Sequence, residues 1–240
     1  MRYKILPCGE CAVTVEFSRE IDPRAGDAAV RLAGELRSRN TAGILEIIPT
    51  YRSVTVCYDP FILSLKELKK VTAACMRSAR GTEQSESKRR FYIPVCYGGR
   101  FGMDLEYIAR ETGLDMREIV RRHISREYPI NMIGFLPGFP YLSGMDETIA
   151  VPRLENPRER IPAGSVGIGG KQTGVYPIAS PGGWRLIGRT PVRLYDPHRN
   201  PPVLYKAGDR IRFYPVSEQE YARIETEVLT GSYAVKTEEV

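Results

Sequence analysis

Three stretches crowded with glycine and proline limit the fold of this chain more than any other feature. They are GFLPGFPYL at 134–142, PRLENPRERIPAGSVG at 152–167 and QTGVYPIASPGGWRLIGRTP at 172–191. Glycine admits positive φ and close backbone approach, while proline fixes φ and removes a donor. Helices of ordinary length are excluded there. Between the breaks lie short β-like runs at 130–135, 165–168, 174–179, 185–188 and 192–195, with another at 210–214. Many short strands with Gly/Pro turns predict a barrel or sandwich. The longest uncharged run, 128–145, is interrupted by Pro129, Gly134, Pro137, Gly138, Pro140 and Gly144, so it predicts no membrane helix.

The first 80 residues have a different texture. Residues 12–17 alternate as a strand, and Asp22-Pro23 opens a helix with Ala29, Leu32, Ala33 and Leu36 on one face. Strands at 44–49 and 53–58 follow, then a helix capped by Ser64 with Leu65, Leu68, Val71, Thr72 and Cys75 aligned. That arrangement predicts an antiparallel sheet with helices on one side. The polar stretch GTEQSESK at 81–88 reads as a linker. It divides the 240 residues into an α+β domain at 1–85 and a β-rich domain at 89–240, the latter opening on a strand and two short helices at 104–110 and 115–123. A charged helix begins near Ser217-Glu218.

The net charge of +6 is unevenly spread. Residues 151–214 carry 11 basic and 4 acidic side chains, whereas 215–240 carry 2 and 6. A local positive excess focuses field on a small anion, or is a solvated basic face. No basic helix with interleaved aromatics exists, which argues against nucleic acid. The N-terminus lacks the apolar core of a secretion signal. Five cysteines, an odd number, suit a reducing cytoplasm. Cys8 and Cys11 form a lone C-x-x-C. A zinc site needs a second pair, and a thioredoxin-type motif needs a following helix, where a strand is predicted.

The rigid loops are the natural base for a binding site. Arg153, Arg160 and Arg189 flank them, and a guanidinium fork suits carboxylate or phosphate. Each reads equally as a surface residue. Gln172 and Thr173 can read an amide or satisfy loop backbone. Trp184, the only tryptophan, can stack on a ligand or fill the barrel. His123 ends a predicted helix, where the dipole favours its protonation. Ser165 lies in Gly-Ser-Val-Gly, which is not a nucleophile elbow. No Walker motif or dinucleotide fingerprint is present, so the chain alone carries no readable ATP site.

The three loops, together with EIIPTYRSVTVCYDP at 46–60 and YIPVCYGG at 92–99, resemble the motifs of one family. It is the B-subunit family of bacterial ATP-dependent 5-oxoprolinase, formerly allophanate hydrolase subunit 1, which includes a sporulation kinase inhibitor. Glu10 stands where Asp is commoner. The resemblance implies an N-terminal ferredoxin-like α/β sandwich and a C-terminal cyclophilin-like β-barrel. It implies a cytoplasmic complex, with separate A and C subunits, that uses ATP and water to open 5-oxo-L-proline to L-glutamate, with ATP bound at a shared site. The chain alone is then inactive, and no metal or membrane is involved. The chemistry of that reaction, rather than the resemblance, assigns expected catalytic roles to His123, as support for the 134–142 loop or as a proton shuttle, and to Arg160, Gln172 and Arg189. Substrate contacts fall to Phe135, Pro137, Gly138, Phe139, Arg153, Pro162, Gly164, Ser165, Thr173 and Trp184. Two alternatives carry the same motifs: an inhibitor of sensor histidine kinase autophosphorylation, and a subunit of an allophanate- or urea-type amide-processing enzyme.

Overall fold

A computed structural model describes residues 2–20, 22–81 and 88–240. It divides into two compact units, Met1–Ser87 and Lys88–Val240. Most of the predicted linker, residues 82–87, lies outside the described residues.

The first unit runs β1 (Lys4–Pro7), β2 (Ala12–Glu16), α1 (Pro23–Arg39), β3 (Ile44–Pro49), β4 (Ser53–Tyr58) and α2 (Leu65–Gly81). Its antiparallel sheet has the order β1-β2-β4-β3. Alternation explains the burial: Val13, Val15, Val54 and Val56 face the core, where they meet Ala29, Leu32, Ala33 and Leu36 of α1. Asp22 caps α1 by accepting from the Arg24 amide at 2.9 Å, and Asn40 ends it in the left-handed region. Ser64 and Glu67 exchange hydrogen bonds as a capping box for α2. A ferredoxin-like chain runs βαββαβ. This unit begins with two strands and ends with a helix, so it departs from that order.

The second unit contains β5 (Arg89–Tyr97), α3 (Leu105–Thr112), α4 (Met116–Ile124), β6 (Tyr128–Ile133), β7 (Pro140–Leu142), β8 (Arg158–Ile161), β9 (Ser165–Gly169), β10 (Gln172–Val175), β11 (Ser180–Gly182), β12 (Arg185–Arg189), β13 (Arg210–Pro215), α5 (Glu218–Leu229) and β14 (Thr237–Glu239). One sheet has the order β10-β9-β12-β5-β13-β6-β7, with β14 also paired to β5. β7 packs beside β10, so the sheet nearly closes on itself. Phe91, Ile93, Val95, Tyr128, Ile130, Val166, Ile168, Val175, Ile211 and Phe213 fill its interior. β8 and β11 form a separate ribbon.

Three predicted strands differ from the structure. The run at 130–135 ends at Ile133, because Phe135 takes a positive φ of 65° and turns the chain. The run at 174–179 begins earlier and stops at Val175, before Pro177. Residues 192–195 make no strand and keep only one bridge, Tyr195 to Val203. Pro201 and Pro202, opposite this segment, have no amide to donate, so the pairing stays short. The Arg199 guanidinium ties the loop by donating to the carbonyls of Arg193, Leu194, Pro201 and Pro202.

Candidate functional site

The glycines of the third loop have a purpose beyond turning. In β9 and β10, Val166, Ile168, Thr173 and Val175 point inward, leaving Gly167, Gly169 and Gly174 on the other face. A Cβ at Gly169 would lie 2.5 Å from the Trp184 indole, and one at Gly174 would lie 3.0 Å from it. The indole therefore rests on bare backbone. Phe139 meets it edge-on at 5.6 Å and Tyr176 at 6.2 Å. Phe139 also contacts Tyr141 and, at 5.7 Å, Phe135. Phe135 is 67% exposed despite its left-handed backbone. Pro137 is exposed beside it. The Gly138 carbonyl is held by the buried Tyr205 hydroxyl at 2.7 Å, which ties the first loop to the core.

Arg153 lies on this aromatic platform. Its guanidinium is 5.7 Å from the Trp184 ring and donates to Gln172 Oε1 at 3.2 Å. Neither partner is charged, so the cation keeps its positive field. Arg160 is exposed and, among the described residues, has no ion pair or hydrogen bond. Arg189 has different neighbours. It lies 5.7 Å from the Phe101 ring and beside Tyr221, and its Nε is buried without an acceptor. The Tyr221 hydroxyl is raised by burial first and then by Glu225, with Arg189 opposing both. Pro162 and Gly164 form the turn from β8 to β9, where the Gly164 amide donates to the Tyr176 carbonyl at 2.7 Å. Ser165 is fully buried, and its hydroxyl has no partner among the described residues.

His123 is not in a cleft. It is fully buried, stacked on Phe213 at 4.9 Å, with Nδ1 2.9 Å from the Tyr97 hydroxyl and Nε2 2.8 Å from Thr173 Oγ1. Thr173 Oγ1 donates to the Gly167 carbonyl at 3.1 Å, so it must accept from His123. That assigns the proton to Nε2 and makes the Tyr97 hydroxyl the donor to Nδ1. The ring joins α4 to β5 and β10, rather than supporting the loop at 134–142. The expectation of easy protonation at a helix end is corrected: burial lowers the pKa to about 3, and desolvation outweighs the dipole.

This carries a sign. The unfolded chain binds a proton on this histidine near pH 6.5, whereas the folded chain does not until about pH 3. Stability from the neutral ring is complete above pH 6.5 and falls as pH drops. The expected loss is about 1.4 kcal/mol per pH unit below about 6. Urea unfolding of the protein between pH 7 and 5 should show that slope, and His123→Gln should flatten it. An unchanged slope in the variant would refute the assignment.

The hub that holds the platform has no signature in the sequence. Asp104 reads there only as a helix start, yet its side chain does not cap α3. Its Oδ2 accepts from the Leu186 amide at 2.7 Å, and its Oδ1 accepts from Arg158 at 2.8 Å, with Arg185 3.9 Å away. Arg158 also reaches the Trp184 carbonyl at 3.4 Å. An acidic residue after glycines gives no cue to this role. A separate cavity of about 770 Å³ lies between α3, α4 and the turn at Gly98–Gly99, lined also by Met103 and Met116. It includes none of the predicted site residues. No helix among the described residues is long and apolar enough to cross a membrane.

Comparison with known proteins adds an independent line. Residues 3–205 match the family model described as carboxyltransferase domain, subdomain C and D. The chain is 42% identical over 231 residues to the 5-oxoprolinase B subunit of Bacillus subtilis, covering 92% of this chain and 96% of that protein. It is 42% identical over 212 residues to the Escherichia coli O157:H7 protein of the same name, covering 88% and 94%. The solved urea amidolyase of K. lactis superposes with a TM-score of 0.78 at 22% identity, over 99% of this chain and 16% of that one. That likeness concerns the fold.

Proposed function

Because the chain belongs to the 5-oxoprolinase B-subunit family, within the carboxyltransferase subdomain C and D proteins, we propose that it acts as the B subunit of an ATP-dependent 5-oxoprolinase. The complex opens 5-oxo-L-proline to L-glutamate with hydrolysis of ATP. The A and C subunits are the partners, and the five free cysteines suit a cytoplasmic setting. We read the nearly closed sheet as cyclophilin-like and the first unit as a reordered ferredoxin-like sandwich.

A lactam nitrogen is a poor leaving group. Phosphorylating the lactam oxygen activates the ring carbon to water; the tetrahedral adduct then expels the protonated ring nitrogen, breaking the C–N bond, and a second water hydrolyses the resulting acyl phosphate to carboxylate and phosphate. Such a site needs cations near carboxylate and phosphoryl groups, with fixed donors near the amide. The observation that carries the residue roles is Arg153 resting on Trp184 with, among the described residues, only neutral Gln172 as its hydrogen-bond partner. It presents an oriented, uncompensated guanidinium. Arg160, with no carboxylate partner among the described residues, supplies a second. Gln172 orients the lactam beside them. Arg189, with its unpaired Nε and beside unpartnered Ser165 in the sheet register, serves an anion at a second point. Phe135, Pro137 and Phe139 provide the apolar wall. His123 and Thr173, closed inside the core, act as positioning residues for β10, on which Gln172 sits. These groups can meet phosphate oxygens. A complete ATP site is assigned to the assembled complex.

The test uses the complex assembled from all three kinds of subunit. Arg153→Ala and Arg160→Ala are each expected to lower 5-oxoproline-dependent glutamate release at least about tenfold, or about 1.4 kcal/mol of transition-state binding. Arg24→Ala and Arg77→Ala, at exposed positions of the first unit, should keep full activity. Full activity in all four variants would refute the cationic site, and turnover by the single chain would refute the shared one.

A further inference from the structure

The first unit carries a thiol cluster that the proposed reaction does not use. Cys8 and Cys11 flank Gly9-Glu10 in the connection between β1 and β2, and both are exposed. The hairpin is closed by the Cys8 amide donating to the Ala12 carbonyl at 2.9 Å, next to the Pro7–Val13 pair. Gly9, with φ 69°, helps reverse the chain. Residues i and i+3 of a tight reversal lie within about 7 Å, and a disulfide spans Cα separations of about 4.4–6.8 Å. The hairpin therefore holds the two cysteines close to the separation a disulfide needs.

Cys57 of β4 faces the same corner. It is paired with Ala12 in the sheet register, and the Tyr58 amide donates to the Cys11 carbonyl at 2.8 Å. Only Ala12 separates the Cys8 and Cys57 positions across the strands. Cys57 is half-buried, and burial pushes its thiol pKa up, helped by the Glu46 carboxylate and the thiols of Cys8 and Cys11. Among the described residues no three His, Cys, Asp or Glu side chains are arranged to hold a metal ion. The geometry favours thiol exchange.

We propose that Cys8 and Cys11 form a thiol–disulfide exchange site for low-molecular-weight disulfides, closing a covalent bridge across the first hairpin. The thiolate of one cysteine attacks a sulfur of the small disulfide, the S–S bond breaks, and one small thiol departs. The second cysteine attacks the mixed disulfide and releases the other small thiol. Two protein thiols are oxidised to one disulfide, the small disulfide is reduced to two thiols, and the two protons pass to the leaving sulfurs. Cys57 remains a thiol, because its thiolate is scarce and the exposed pair is reached first. The bridge pins β1, the edge strand of its sheet, to β2.

The experiment treats the full chain with oxidised glutathione at graded ratios to the reduced form, followed by alkylation and tryptic digestion. Cleavage after Lys4 and Arg19 leaves both cysteines on one peptide, residues 5–19. In the oxidised protein this peptide is expected unalkylated and lighter than the dithiol by two hydrogens, while the Cys57 peptide is alkylated. Cys8→Ser and Cys11→Ser should each stop at a glutathione adduct on the remaining cysteine. Cys57→Ser should leave bridge formation unchanged. The substituted positions 8 and 11 are exposed, so these variants should keep the far-UV spectrum of the parent. Alkylation of both cysteines at every ratio, a stable glutathione adduct on the unmutated peptide, or a cross-link to Cys57 would each overturn the proposal.

Discussion

Asp104→Ala is expected to destabilise the second unit by about 3–5 kcal/mol, read as a lowered urea midpoint with unchanged slope. The carboxylate is almost fully buried and serves two kinds of partner. It neutralises Arg158 at 2.8 Å, with Arg185 3.9 Å away, and it satisfies the buried Leu186 amide at 2.7 Å. Removing it leaves guanidinium charge facing a site with less water than solution and orphans a backbone donor in β12. Both arginines have side chains less than a third exposed, so solvent compensates them only partly. Asp104→Asn keeps an acceptor for Leu186 and should lose less. A close approach reinforces the same contact. Gly102 packs its α-carbon against the Ile187 carbonyl, leaving no room for a Cβ, while the Asp104 amide donates to the Leu186 carbonyl at 2.9 Å. Equal stability of Asp104→Ala and the parent would show that the arginines find other partners.

Trp184→Ala is expected to cost about 3–5 kcal/mol and to lower the activity of the assembled complex with it. The indole is 5% exposed, and much of its bed is glycine. Glycine has no side chain to collapse into the vacancy, so the cavity stays open. Arg153 would lose the face on which it lies. The glycine bed gives a sharper test than the single variant. Gly169→Ala alone should be destabilising, since its Cβ would press on the indole at 2.5 Å. In the Trp184→Ala background the same methyl has space, so the change should be neutral or favourable. The two substitutions should therefore couple by more than about 1 kcal/mol, well beyond the scatter of about 0.5 kcal/mol for independent sites. Additive effects would show that the tryptophan does not rest on that glycine.

What can be read from the sequence depends on whether a residue acts through its neighbours in the chain. α1 is legible because Asp22, Pro23 and the apolar stripe from Ala25 to Leu36 are local signals, and β4 is legible from its alternation. β1, β7, β8, β11 and β14 are not, since three or four residues are too few to establish a period. The glycines at 167, 169 and 174 are visible, but their partner Trp184 is reached only through sheet pairing. Arg153, Gln172 and Trp184 stand out as residue types suited to anions and amides, and the fold brings them together. Asp104 reads as a helix start because that role is local, whereas its oxygens serve residues more than 50 positions away. His123 misleads for a related reason. The helix dipole is set by the sequence nearby, whereas desolvation is completed by Tyr97 and Phe213, which arrive from strands distant in the chain.

The place of β5 in the sheet has a consequence for the order of assembly. It opens the second unit, yet on one side it lies parallel to β13, from Arg90–Arg210 through Val95–Pro215, and on the other it meets β14 and β12. Each neighbour is synthesised some 90 residues later or more. A ribosome making this chain therefore releases a strand rich in Phe91, Ile93 and Val95 long before either edge can be paired. Closing so large a loop costs chain entropy before the contacts repay it, which makes the barrel a slow folder for its size. During that interval the unpaired edges are open to association with other nascent chains. Protection of the β5 amides, followed by pulsed hydrogen exchange during refolding, should appear together with that of β13 and not before it.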